Sequence, residues 1–165
     1  MRPMRTRPEV LTHHPGGRIG LIADTHGLLR PEACAFLAGS SLIIHGGDIG
    51  PADVLERLRR IAPLVAVRGN NDRNLAEHLP ESQLIKVGDV LVYVIHDSSQ
   101  IQVDLAALGV RVVVSGHSHQ PSSLERDGIL FLNPGSAGPR RFKLPIAVGE
   151  LCIAGSALSA RIHYL

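Results

Sequence analysis

Four short motifs along this chain each follow an apolar run, and each presents side chains that ligate metals: Asp24-Thr25-His26, Gly47-Asp48, Gly69-Asn70-Asn71-Asp72 and Gly116-His117-Ser118-His119. His96, directly after the run Val90–Ile95, adds a fifth element. Carboxylate, amide and imidazole donors without a thiolate suit Mn²⁺, Fe, Ni²⁺ or Zn²⁺, and together they meet the needs of a two-metal hydrolytic centre. Singly, the motifs say little. An Asp-x-His triplet or a Gly-Asp pair is common in loops, and only Gly-His-x-His places two imidazoles where packing rarely wants them. Taken in order, each after an apolar segment, they describe a site.

The elements that must position these residues can be read from the apolar pattern. In the first half, strands are expected at Arg18–Ala23, Ser41–Ile44 and Leu64–Val67, with helices over Pro31–Ala38 and Pro51–Ile61 between them. This βαβαβ order predicts parallel strands with crossover helices. In the second half, Ser82–Val87 and Val90–Ile95 flank Gly88-Asp89 as a hairpin. A helix over Val103–Leu108 leads to a strand at Val110–Ser115. Asp127-Gly128 and Gly155-Ser156 each sit between a further pair of strands, the second pair being Ile146–Ile153 and Ala157–Tyr164. One α/β half and one hairpin-rich half predict two sheets packed face to face with helices outside. Every candidate ligand then follows a strand end, the place where ligands collect in open α/β sheets. Of the other histidines, His45 reads as core or as support behind the ligands, and His78 and His163 as surface or packing residues.

The 165 residues suffice for one domain with a sizeable core. Apolar runs are far too short to span a bilayer. A formal charge of +2 and 3% aromatic residues argue against a nucleic-acid-coating surface with base-stacking platforms. Cys34 and Cys152 are isolated, which suits a cytoplasmic protein without a disulfide framework. Residues 1–17, rich in Arg and Pro and lacking an apolar core, read as a flexible tail rather than a secretory signal. Residues 18–165 are the expected domain.

Five segments together carry a resemblance: Asp24-Thr25-His26-Gly27, His45-Gly46-Gly47-Asp48, Val67-Arg68-Gly69-Asn70-Asn71-Asp72, the Ser115-Gly116-His117-Ser118-His119 run with His96, and Asn133-Pro134-Gly135-Ser136. In these the chain resembles the calcineurin-like metallophosphoesterase superfamily, in its small prokaryotic phosphodiesterase branch. The resemblance implies an α/β fold, a four-layer αββα sandwich of two mixed sheets and outer helices. It implies a metal-dependent phosphodiesterase acting on a small phosphate ester, with two divalent ions, Mn²⁺ foremost. It also implies a ligand set: Asp24, His26 and His119 on one ion, Asn70, His96 and His117 on the other, and Asp48 bridging. Asp48, Asn70 and His117 would stand closest to the chemistry, a hydroxide bridging the two ions attacking the phosphoryl group.

Two departures from the family pattern stand out. Many members carry a proton-donating His where this chain has Asn71, and most carry Gly where it has Asp97. Asn71 is expected beside the substrate, and Asp97, with His45 and Asp72, behind the ligands. Arg140, in the loop after Asn133-Pro134-Gly135-Ser136, is a candidate phosphate contact through its guanidinium. The competing readings are a scaffold on the same fold, as in a retromer subunit, and a nuclease. A homo-oligomer is compatible with the sequence.

Overall fold

The computed structural model describes residues 10–13, 16–75 and 78–165. It begins with a strand, β1 (Val10–His13). The alternating half follows: β2 (Arg18–Ile22), α1 (Pro31–Leu37), β3 (Leu42–His45), α2 (Asp53–Arg59) and β4 (Leu64–Ala66), with β2, β3 and β4 adjacent and parallel. The other half carries β5 (Ser82–Val87), β6 (Val90–Ile95), α3 (Leu105–Leu108), β7 (Val110–Val114), β8 (Ser122–Arg126), β9 (Ile129–Asn133), β10 (Ala147–Ala154) and β11 (Ala157–Tyr164).

Two mixed sheets result, in the orders β1-β5-β6-β7-β9-β8 and β11-β10-β2-β3-β4. The three hairpins stand where the turn residues predict them. At the tip between β8 and β9, Asp127 and Gly128 both have positive φ (53° and 76°), the backbone that suits a tight two-residue turn. The strand β10 crosses to the first half's sheet and pairs antiparallel with β2, so that Gly149 faces Leu21.

Three apolar layers hold the sheets and helices together. Between the sheets, Leu21, Ile44 and Leu151 of one meet Val92, Val94, Val112 and Leu132 of the other. Outside the β2–β3–β4 sheet, Leu37 of α1 and Val54, Leu55 and Leu58 of α2 cover Ile22 and Ile43. Outside the other sheet, Leu105 and Leu108 of α3 pack with Tyr93, Ile95 and Val113. The expected α/β sandwich of helix, sheet, sheet and helix is therefore present, with one outer layer reduced to a single turn. Asp104 sets that limit: its side chain accepts from the Ala107 N–H, so the helix starts after it and leaves Val103 out.

The stretch expected as a tail needs correcting in part. Val10–His13 pairs in parallel with β5, from Val10 opposite Leu84 to His13 opposite Val87. A β-branched and apolar segment satisfies the open ladder groups of a strand that would otherwise end the sheet. Residues 1–9 and His14 lie outside the described residues. Among the described residues, no helix is long and apolar enough to cross a membrane.

Candidate metal centre

Parallel pairing brings the carboxyl ends of β2, β3 and β4 to one edge, and β6 and β7 end opposite them. Asp24 and His26 follow β2, Asp48 follows β3, Asn70 follows β4, His96 follows β6, and His117 and His119 follow β7. These loops converge. The Nε2 of His119 lies 3.5 Å from Oδ1 of Asp24, and that of His96 4.0 Å from the same oxygen. Oδ2 of Asp48 is 3.7 Å from Nε2 of His26 and 3.4 Å from Nε2 of His96. Two groups able to hold a cation result, Asp24 with His26 and His119, and Asp24 with Asp48 and His96. The carboxamide oxygen of Asn70 reaches Nε2 of His96 at 3.0 Å.

The backbone is bent to achieve this. Among the described residues seven other than glycine have positive φ, and five of them are Asp24, His26, Asp48, His117 and His119. Such a conformation is costly for an L-residue, and Asp and His tolerate it better than most. Its concentration at these positions marks a site where the chain is turned to aim side chains. Glycine at 69 serves the same end, since a Cβ there would collide with the Asp48 carboxylate.

A frame of hydrogen bonds fixes the loops. Buried Asp72 accepts from the backbone N–H groups of Ile49 and Gly69 at 2.9 and 2.8 Å, and from that of Gly50 at 3.3 Å. It thus ties the loop after β3 to the loop after β4. His45 accepts from Gly47 N–H at Nδ1 (3.0 Å), so its Nε2–H donates to Thr25 Oγ1 (3.0 Å), which in turn donates to the Ile49 carbonyl (2.8 Å). His45 is accordingly a tie between two loops that carry candidate ligands. Asn71 donates to Asp48 with its backbone N–H (3.0 Å) and its side-chain amide (3.1 Å). Nδ1 of His96 lies 2.8 Å from the Gly46 carbonyl, which fixes Nε2 as the face turned to the site. Ser136 donates to the Asp24 carbonyl (3.1 Å), and Ala137 N–H to that of Ala23 (3.1 Å), anchoring the loop that follows Asn133.

Burial pushes the Asp24 carboxyl up to about 7, with the Asp48 charge adding to the push and His96 opposing it. Burial would also raise Asp48, but hydrogen bonds from His96 and Asn71 outweigh it and hold this carboxyl below the ordinary carboxylate range. Burial works against charge on His96 too, yet its contacts with Asp48 and the Gly46 carbonyl raise it. His119 is driven down to about 4 by burial, then by Arg141 and His26, and His45 to about 3 by burial and His96. Neutral His119 and ionised Asp48 are in the states that ligation requires. Asp24 Oδ1, His26 Nε2 and His119 Nδ1 are buried without a hydrogen-bond partner. Buried polar atoms of native proteins are rarely orphaned, so these residues fit a cation.

Not every expected residue lies where the sequence suggested. His117 is half exposed, and its Nε2 faces Asp97 Oδ2 at 3.6 Å rather than the Asp48 carboxylate, although its ring meets that of His96 edge-on at 5.1 Å. Asp97 has a second task as the cap of the turn Ser98–Gln100, accepting from Ser99 N–H (3.0 Å) and Ser99 Oγ (2.7 Å). Asn71, expected beside the substrate, is engaged with Asp48. Arg140 and Arg141 are both exposed, and of the two it is Arg141 whose charge reaches Asp24 and His119. Spacing alone could not choose between adjacent arginines in one loop.

Residues 18–154 match the family model of the calcineurin-like phosphoesterase superfamily domain. The chain belongs to that family. A probable metallophosphoesterase of Methanothermobacter thermautotrophicus is 38% identical, over 87% of this chain and 90% of its own length. A phosphodiesterase of Methanocaldococcus jannaschii is 26% identical, over 72% of this chain and 82% of its own. Among solved structures, Vps29 of Chaetomium thermophilum superposes with a TM-score of 0.80 at 21% identity, covering 90% of this chain and 87% of that one. A novel archaeal phosphodiesterase superposes at 0.74 and 22%, covering 90% and 99%. At such identities these two structures speak for the fold.

Proposed function

We propose that this metallophosphoesterase is a phosphodiesterase using two divalent metal ions, Mn²⁺ foremost. Asp24, His26 and His119 would hold one, and Asn70 and His96 the other, joined by His117 once its ring turns from Asp97, with Asp48 between them. The observation that carries this reading is the position of Asp48 Oδ2, 3.7 Å from the His26 imidazole and 3.4 Å from that of His96. A carboxylate between two imidazole sets is what a shared ligand requires. Two bound cations would lower the pKa of a shared water and draw charge from the phosphoryl oxygens.

The chain's own residues do the rest. Asn71 keeps Asp48 oriented through both of its donors. Arg141, with Arg140 beside it, puts positive charge on the side of Asp24 and His119, where an anionic ester must approach. Asp97 sets a negative charge opposite, which disfavours a dianionic monoester relative to a monoanionic diester. Asn71 supplies no proton, so the leaving group departs with little general-acid help, and aryl diesters should outpace alkyl ones.

Elemental analysis after metal loading should find about two ions per chain. Hydrolysis of bis(p-nitrophenyl) phosphate should require Mn²⁺ or an equivalent ion. Two bound ions without turnover would favour a binding protein on this fold.

A further inference from the structure

Beside Asn70, His96 and His117 the surface opens into a cavity of about 610 Å³, walled further by Arg68, Glu81, Asp97, Ser99, Gln100 and Gln102. That is room for a substituent the size of a sugar or a smaller polyol. The wall chemistry is specific. Among the described residues that wall it, the two imidazoles are the only rings, so these offer no broad platform for a nucleobase. Its one arginine is engaged: Arg68 Nη2 meets Glu81 at 3.1 Å, and Nη1 donates to the Leu79 carbonyl at 2.8 Å. Apart from any ion held at Asn70, His96 and His117, the wall's own side chains carry two carboxylates, Glu81 and Asp97, against one cation, which disfavours a second anionic group away from the centre.

Two primary amides complete the wall. Gln100 ends the turn that Asp97 caps, and Gln102 follows two residues later. Neither side chain makes a hydrogen bond among the described residues, so both amides offer a donor and an acceptor to a ligand.

Resting on the phosphodiesterase reading above, we propose that this cavity receives an uncharged, hydroxyl-bearing ester group, so that the substrates are phosphodiesters of polyols or sugars. Gln100 and Gln102 would pair with the hydroxyls, and the Arg68–Glu81 pair would exclude an anionic substituent.

The test compares two dialkyl phosphates of the same carbon skeleton, methyl glyceryl phosphate and methyl propyl phosphate, binding to the Mn²⁺-loaded protein by calorimetry. The glyceryl ester should bind about tenfold more tightly, the effect of one or two added hydrogen bonds. Gln100→Ala combined with Gln102→Ala should bring the two within about twofold of each other. Independently, Glu81→Gln, at an exposed position, should raise affinity for methyl 2-carboxyethyl phosphate about fivefold by removing one of the wall's two carboxylates. Equal or tighter binding of the propyl ester overturns the proposal, as does a double variant that keeps the full preference. Turnover separates the two readings. Preference without hydrolysis of any diester would uphold the cavity and sink the enzyme. Hydrolysis without preference would do the reverse.

Discussion

The two sides of the centre are built differently. On the β2–β3–β4 side, the loops carrying Asp24, Asp48 and Asn70 are bound to one another by Asp72, His45 and Asn71, all through buried or backbone hydrogen bonds. On the β6–β7 side, His96 is fixed by the Gly46 carbonyl, but His117 is half exposed and leans on Asp97. The first side resembles a mould and the second an open wall. On the proposed function, rigidity would stand where cation geometry must be held, and latitude where an ester must enter and leave.

The largest effect should come from the residue between the two imidazole sets. Asp48→Asn should reduce aryl diester turnover by about 10²–10³-fold, more than His26→Ala, because electrostatic stabilisation at both sets depends on it. Near-normal turnover with full metal content would erase the special place given to Asp48. Next comes the mould itself. Asp72→Ala touches no candidate ligand directly, yet should cost 10–100-fold in metal affinity, as expected for residues that orient ligands. It should also cost about 2–4 kcal/mol of stability by stranding three backbone N–H groups, checked by urea unfolding.

Acidity sharpens the contrast further. Asp24, pushed up to about 7, holds a proton below that pH, and raised His96 also favours its protonated form. Loading a cation must expel these protons, so affinity should rise as pH rises towards 7, by about tenfold per pH unit for each proton released, and flatten above. Competition with a fluorescent chelator across pH 5.5 to 8.5, roughly the span either side of an ordinary histidine pKa, would show it. An affinity that falls with pH would reverse the charge states assigned here. The smallest change belongs to the open wall. Asp97→Asn should alter aryl diester turnover by less than about fivefold, in keeping with the small worth of exposed ion pairs. A loss as large as that of Asp72→Ala would mean that both sides are equally rigid.

Much of the site was legible because its residues sit at strand ends, and strands show in apolar runs. Asp24, Asp48 and His96 could be placed by that rule alone. The turn pairs Asp127-Gly128 and Gly155-Ser156 likewise announced their hairpins. What stayed hidden depends on contacts distant in sequence. Asp72 is expected behind the ligands, but only the fold shows which two loops its carboxylate joins. β1 lies in an Arg- and Pro-rich stretch whose local composition argues against a strand, and its partner β5 is more than seventy residues away. That Arg141, and not Arg140, acts on Asp24 and His119 depends on the path of a loop, and no periodicity governs a loop. The brevity of α3 was readable in principle, since Asp104 is a capping residue inside the apolar pattern.

The left-handed backbone at five candidate ligand positions carries a cost of its own. At about 1 kcal/mol each, those conformations sum to several kcal/mol, a large part of the 5–15 kcal/mol by which a domain of this kind stays folded. Glycine at any of them would relax the backbone while deleting a ligand. A lineage selected for robustness alone would therefore drift towards a sturdier and chemically silent protein. Asp and His persist at these places only where something other than stability rewards them.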